Sequence, residues 1–154
     1  MKNSYSNIFT FNKKILKKTI KNLSIGKVVG LPTETVYGLG GNAYSKKSIQ
    51  KIFKLKGRPK SNPLIIHYYN INDVINDVVL NKNFKKLYKK FCPGPITFIL
   101  KKKKNSKIHS SASAGLNSVG VRFPKHKVAR SILKDEPIKV FNHFYFSSLG
   151  IKPV

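Results

Sequence analysis

An α/β layered fold around one mainly buried sheet is what this chain predicts, on three observations. Short apolar runs of strand length alternate with segments whose apolar residues recur at helical spacing. The chain has 154 residues, about one domain and long enough to bury a proper core. No internal repeat or second domain is found, so residues 1–154 read as a single domain.

Residues Asn12 to Leu23 place Ile15, Leu16, Thr19, Ile20 and Leu23 on one face, with Lys13, Lys14, Lys17, Lys18 and Lys21 on the other. That is an amphipathic helix packed on a core; its apolar face is too modest to favour a membrane-surface helix. Gly26 ends it, and Lys27 to Leu31 reads as a short buried strand. Ser45 caps a second helix through Leu55, with Ile49, Ile52, Phe53 and Leu55 inward. Leu64 to Tyr68 is the next strand. Ile71 to Leu80 and Phe84 to Phe91 read as two short helices, the second carrying Phe84, Leu87, Tyr88 and Phe91 inward. Pro93-Gly94-Pro95 stops that helix and turns the chain into the strand Ile96 to Leu100. Ser106 to Ser118, rich in Ser, Ala and Gly, is a loop. Val119 to Phe123 is a strand, His126 to Leu133 a helix and Pro137 to Phe141 a last strand.

An apolar content of 40% with 11% aromatics suits a soluble globular protein and excludes a disordered tail. The formal charge of +26 invites a nucleic-acid partner. Yet Lys is spread over the whole chain together with abundant Asn and Ile, as a strongly A+T-biased coding sequence would produce. Either origin leaves a salt-sensitive, non-specific affinity for RNA through counterion release. Cys92 stands alone, which excludes a disulfide framework and a Cys-rich metal site and suits a reducing compartment. Ile8 to Phe11 is too short for a signal-peptide core, and no apolar run approaches the ~20 residues of a membrane helix. The expected location is cytoplasmic, without a membrane partner.

Four segments carry chemistry. Lys56-Gly57-Arg58-Pro59-Lys60-Ser61-Asn62-Pro63-Leu64 crowds cations, two Pro and an amide ahead of a buried strand. Only Arg58, Arg122 and Arg130 among the 31 basic residues are Arg, so a site that uses Arg needs its planar, two-pronged grip on phosphate or carboxylate. A helix C-terminus favours cations anyway and accounts for one of Lys56 and Arg58. It does not account for Lys-x-Arg followed by Asn62, which reads as a phosphate clamp. His67 ends the strand, where a lone His is more often a satisfied core residue. Leu31 to Gly41 reads as a tight, irregular connection after a strand, with Thr33 and Thr35 flanking Glu34, the sole carboxylate of the first 72 residues. Its Thr side chains fit a structural turn, while Glu34 could orient an ammonium group or a cation. In Asn117 to Pro124, Arg122 points away from Val119, Val121 and Phe123 and should meet a carboxylate. With five acidic residues in the chain, a ligand carboxylate gains weight over a protein one. Phe91 to Thr97 is a turn before a strand.

Together the four segments closely resemble the YrdC/Sua5 family of threonylcarbamoyl-AMP synthases. The shared pattern is Pro-Thr-Glu-Thr-Val-Tyr-Gly-Leu at 32–39, Lys-Gly-Arg-Pro-x-x-Asn-Pro-Leu at 56–64, Pro-Gly-Pro-x-Thr at 93–97 and Ser-Val-Gly-Val-Arg-x-Pro at 118–124. The resemblance implies a curved, mixed β-sheet flanked by helices, with a large, basic, concave cleft. It also implies ATP, L-threonine and bicarbonate (or CO2) as substrates, Mg2+ as the pyrophosphate partner, and no metal held by the protein. The product would pass to a t6A-forming transferase complex that modifies tRNA. Carried over by position, Lys56, Arg58, Asn62 and Ser118 bind ATP, Lys56 and Arg58 being catalytic through charge stabilisation. Thr33, Thr35, His67 and Arg122 hold threonine.

One departure stands out. The family completes its nucleotide site with a Ser-x-Asn motif after the last strand. Here Pro137-Ile138 opens that segment and Lys139-Val140-Phe141-Asn142-His143-Phe144-Tyr145-Phe146 follows, with no such motif. The stretch from about 139 to 154 is expected to be atypical and incomplete, by frameshift or truncation, with the fold kept and activity impaired. The competing function is a non-catalytic module that binds tRNA or double-stranded RNA in the basic cleft. A third, the related domain of hydrogenase-maturing carbamoyl-transfer enzymes, is disfavoured by the absence of a Cys-rich finger pattern.

Overall fold

The computed structural model describes residues 8–57, 59–134 and 140–143, the last four as backbone. Helix α1 (Lys13–Ser24) begins where the Asn12 side chain accepts from Ile15 N at 3.0 Å. Its five lysines are exposed and Leu23 is fully buried, as the spacing requires. Gly26 follows in the left-handed region at φ 76°, where a side chain would be strained. Strands β1 (Val29–Pro32) and β2 (Tyr37–Asn42) form an antiparallel hairpin with Leu31 opposite Gly38. The expected irregular connection over 31–41 is therefore corrected to a strand, turn and strand. Three Gly erase the side-chain alternation that marks a strand in sequence. Backbone pairing to β1 on one side and β6 on the other holds β2 extended regardless.

Helix α2 (Lys46–Lys56) is capped by Ser45 and ends at Gly57, φ 58°. It buries Ile49, Ile52 and Phe53, whereas Leu55, expected inward, is exposed. Strand β3 (Ile65–His67) leads to α3 (Ile71–Val74), a single turn closed by an Asn70–Asp73 capping box. The helix expected to run to Leu80 stops early because Asp77 is drawn inward. Its carboxylate accepts from the hydroxyls of Tyr44 and Tyr68 (2.8 Å each) and Ser106 (2.9 Å), and from Lys107 N (3.2 Å). Four donors on one buried carboxylate outweigh continuing the helix. Helix α4 (Lys82–Phe91) starts at the Asn81 cap and buries Phe84, with Tyr88 half-buried. Leu87 and Phe91, expected inward, lie exposed on its flank. Strand β4 (Thr97–Lys101), a 3-10 turn (Ser110–Ser113) inside the expected loop, β5 (Ser118–Arg122), α5 (Lys127–Lys134) and β6 (Val140–His143) complete the described chain. Apart from the β6 backbone, the expected irregularity at 139–154 lies outside the described residues.

The six strands form one mixed sheet in the order β1-β2-β6-β3-β5-β4, antiparallel throughout except for the parallel pair β3–β5. One face carries Ile66, Val119, Val121, Phe98 and Leu100 into a core with α2 and Phe84. A smaller cluster of Leu23, Leu31, Ile132 and Leu133 joins α1 and α5 to β1. Strand alternation and register then set a grid on the face opposite the main core: His67 beside Arg122 beside Thr97, Ile65 beside Gly120 beside Ile99, and Ser118 beside Lys101. Gly120 leaves a gap in this grid, and Ile99 is 71% exposed across it.

Candidate functional site

The site grows from the β1–β2 turn. Thr33, buried, donates from Oγ1 to Val36 O (2.8 Å) and accepts from the amides of Thr35 and Val36 (3.3 Å each). Its hydroxyl shapes the turn, the structural role its residue type suggested. The turn presents Glu34 and Thr35 to the end of β5. There Arg122 donates from Nη2 to Glu34 Oε1 at 2.8 Å and to Thr35 Oγ1 at 3.2 Å. Glu34 Oε2 accepts in turn from the amides of Lys125 (3.1 Å) and His126 (3.4 Å), just before α5. The carboxylate that meets Arg122 here thus comes from the protein, whereas the scarcity of acidic residues had favoured a ligand. Both partners stood out in the sequence, one as a rare Arg and one as an isolated acid; pairing them takes the turn geometry.

Burial by itself raises the Glu34 carboxyl. The Arg122 hydrogen bond and charge, with backbone donors, outweigh it and hold the group below its ordinary value. Arg122 is 3% exposed, so this pairing is a desolvated one. His67 sits beside Arg122 on the parallel neighbour β3 and is 2% exposed. Burial and the adjacent guanidinium push its imidazole down to about 3, against a partial lift from Glu34, so the ring is neutral at pH 7. Its Nε2 is buried with no hydrogen-bond partner among the described residues. A neutral, buried, unpartnered ring nitrogen departs from the satisfied core His that a lone His suggests, and it costs stability unless a ligand pairs it.

Thr33, Thr35, His67 and Arg122 are therefore brought together at the C-terminal ends of β3 and β5. Of the other expected group, Ser118 and Asn62 lie toward the opposite ends of the same strands. Ser118 opens β5, four residues or roughly 13 Å from Arg122 at strand spacing. Asn62 precedes β3, and Lys56 is the half-buried last residue of α2. Arg58 lies outside the described residues. The Lys56–Asn62 loop also borders a cavity of about 780 Å³ between α2 and the 3-10 turn, lined by Phe53, Lys54, Gly57, Lys60, Ser61 and Ser110 among others. None of the expected site residues that are described lines that cavity. Among the described residues no group of three or more His, Cys, Asp or Glu is placed to hold a metal ion, and no helix is long and apolar enough to cross a membrane.

A six-stranded mixed sheet with helices on its faces, and an Arg–Glu–Thr–His constellation at the ends of its parallel pair, define an α/β domain with an ordered polar site. The sequence profile of the Sua5/YciO/YrdC family, described as telomere recombination, matches residues 21–142. The chain belongs to this family. It is 40% identical over 116 residues to a threonylcarbamoyl-AMP synthase of Pyrococcus abyssi, covering 73% of this chain and 34% of that protein. It is 32% identical over 136 residues to a putative threonylcarbamoyl-AMP synthase of Methanocaldococcus jannaschii, covering 86% of this chain and 64% of that one. The chain thus spans about a third of the first relative. Among solved structures, P. abyssi Sua5 crystallised with L-threonine superposes with a TM-score of 0.82 at 32% identity, over 88% of this chain and 39% of that one. Escherichia coli YciO, at 18% identity and a TM-score of 0.74, shares the fold.

Proposed function

We propose that this domain carries the L-threonine and ATP site of an L-threonylcarbamoyladenylate synthase, forming threonylcarbamoyl-AMP for the t6A modification of tRNA. The observation that carries the reading is the buried pair of His67 and Arg122, side by side on β3 and β5, with Arg122 oriented by Glu34 and Thr35. The similarity to a Sua5 crystallised with L-threonine supports it.

In this reading Arg122 takes the amino-acid carboxylate, and Thr35 and neutral His67 take polar groups of the threonine, with Thr33 fixing the turn. Lys56, Arg58, Asn62 and Ser118 take ATP. The neutral threonine amine attacks the carbon of CO2 and releases a proton, giving a carbamate; from bicarbonate, that proton leaves with the displaced hydroxide as water. A carbamate oxygen then attacks the α-phosphorus, and pyrophosphate leaves with the electron pair of the broken P–O bond. Lys56 and Arg58 stabilise the charge that develops on the phosphates, so catalysis is positioning and electrostatics. The described residues offer no carboxylate cluster for Mg2+, which would arrive bound to the ATP phosphates. The absence of Ser-x-Asn supports slow turnover, below about 1 per second.

The test is pyrophosphate release on mixing the chain with Mg-ATP, L-threonine and bicarbonate, omitting each in turn. Release that needs all three substrates is expected; release indifferent to threonine overturns the reading. The +26 charge favours a second reading, RNA binding by the basic surface. Threonine binding that Arg122→Ala abolishes, with salt-dependent RNA affinity nearly unchanged, favours the synthase reading over it.

A further inference from the structure

Arg130 stands at the point where the two site-bearing strands part. The parallel ladder of β3 and β5 carries one bond past its last residue pair, Tyr68 N donating to Arg122 O at 3.0 Å. Beyond it Tyr69 leads toward α3, and Pro124 leads toward α5. Tyr69 and Pro124 lie two residues after His67 and Arg122 respectively, so the two carbonyls occupy equivalent places in the fork. Arg130, from α5, reaches back across it: Nη1 donates to Tyr69 O at 3.3 Å and to Pro124 O at 3.5 Å. Its guanidinium also lies over the Tyr69 ring, 4.3 Å from the centroid. The same helix receives Glu34 at its start, through the amides of Lys125 and His126, and Arg130 N bonds back to His126 O at 3.0 Å.

We propose that Arg130 is a positioning residue for the His67–Arg122 pair, holding the ends of β3 and β5 at the spacing the threonine site requires. Among the described residues its hydrogen bonds and ring contact go to Tyr69, Pro124 and His126, none of them assigned to ligand, and it acts through the two carbonyls. A planar fork can span two acceptors while stacking on a ring; a Lys ammonium offers charge without that geometry. The effect should fall on threonine rather than ATP, because Ser118 opens β5 and Asn62 precedes β3, at the opposite ends of these strands. This rests on the threonine reading of the site.

The experiment measures dissociation constants for L-threonine and for ATP by calorimetry, with the thermal midpoint, for wild type, Arg130→Lys and Arg130→Gln. Arg130→Gln is expected to weaken threonine about tenfold while ATP binding moves less than about twofold, since small misplacements at a recognition site are costly. Arg130→Lys should fall between wild type and Arg130→Gln. Unchanged threonine affinity in Arg130→Gln overturns the inference. So does a loss of both affinities in step with the thermal midpoint, the mark of a merely structural residue. Absence of threonine binding by wild type overturns the reading of the site, and this inference with it.

Discussion

Arg122 and Glu34, 88 residues apart in sequence, meet at 2.8 Å with side chains 4% and 17% exposed. This contact ties the β1–β2 turn to the end of β5, and the amides before α5 complete the tie through the second carboxylate oxygen. Removing one partner of a desolvated pair leaves the other charge uncompensated. Glu34→Gln is therefore expected to cost about 3 kcal/mol in chemical denaturation. A loss below about 0.5 kcal/mol, the range of an exposed pair, would show that the contact does not organise the site.

The buried imidazole gives a signed pH dependence. His67 titrates near 6.5 when unfolded and about 3 when folded, so between those values the unfolded chain binds one more proton. Its contribution to stability is full above pH 6.5 and declines as pH falls toward 3, by about 1.4 kcal/mol per unit in the middle of the window. Glu34, also depressed, adds a decline in the same direction below its unfolded value of 4.5. Stability measured between pH 5 and 7 should thus slope more steeply in wild type than in His67→Gln. Equal slopes would place the ring in a solvated setting.

Asp77 is the hub of a second network, away from the site. Asp77→Ala strands two Tyr hydroxyls and the Ser106–Lys107 turn that now converge on it, and should cost about 3 kcal/mol. Tyr44→Phe, which removes one donor and leaves the others, should cost about 1 kcal/mol. Denaturation of both variants checks the ordering; a Tyr44→Phe loss equal to that of Asp77→Ala would contradict a shared hub.

Gly120 occupies the centre of the open grid. A Cβ there would come 3.4 Å from Thr97 Cγ2 and 3.5 Å from Ile65 Cγ1, so Ala fits with a small adjustment and a branched side chain does not. Gly120→Ala should keep stability within about 1 kcal/mol, whereas Gly120→Val should lose about 2 kcal/mol through overpacking. Equal stability of the two would mean that the gap is wider than the geometry indicates.

Much of this was legible in the sequence, for identifiable reasons. Helices α1 and α2 carry both periodicity and caps or breakers, and they form where those signals place them; α5 forms within a residue of its expected span. Strands β3, β4 and β5 follow their apolar alternation to within a residue or so. Strand β2 was missed because its Gly residues carry no side-chain pattern, and its pairing is with strands distant in sequence. The helix expected from Ile71 to Leu80 was overextended because Asp77 looks like a solvent-facing helix residue until its four donors, from elsewhere in the chain, are assembled around it. The site shows the same division. Thr33, Thr35, His67 and Arg122 were marked by motif, but the Glu34–Arg122 pairing and the bridge from Arg130 exist only in three dimensions.

The most direct test of the central claim is a calorimetric titration of L-threonine into the wild-type chain and into Arg122→Ala, with folding of each verified. The account predicts saturable binding by wild type and at least a tenfold weaker affinity in the variant, as expected for loss of a charge-assisted contact to a carboxylate. Equal affinities, or no binding by a folded wild-type chain, would contradict it.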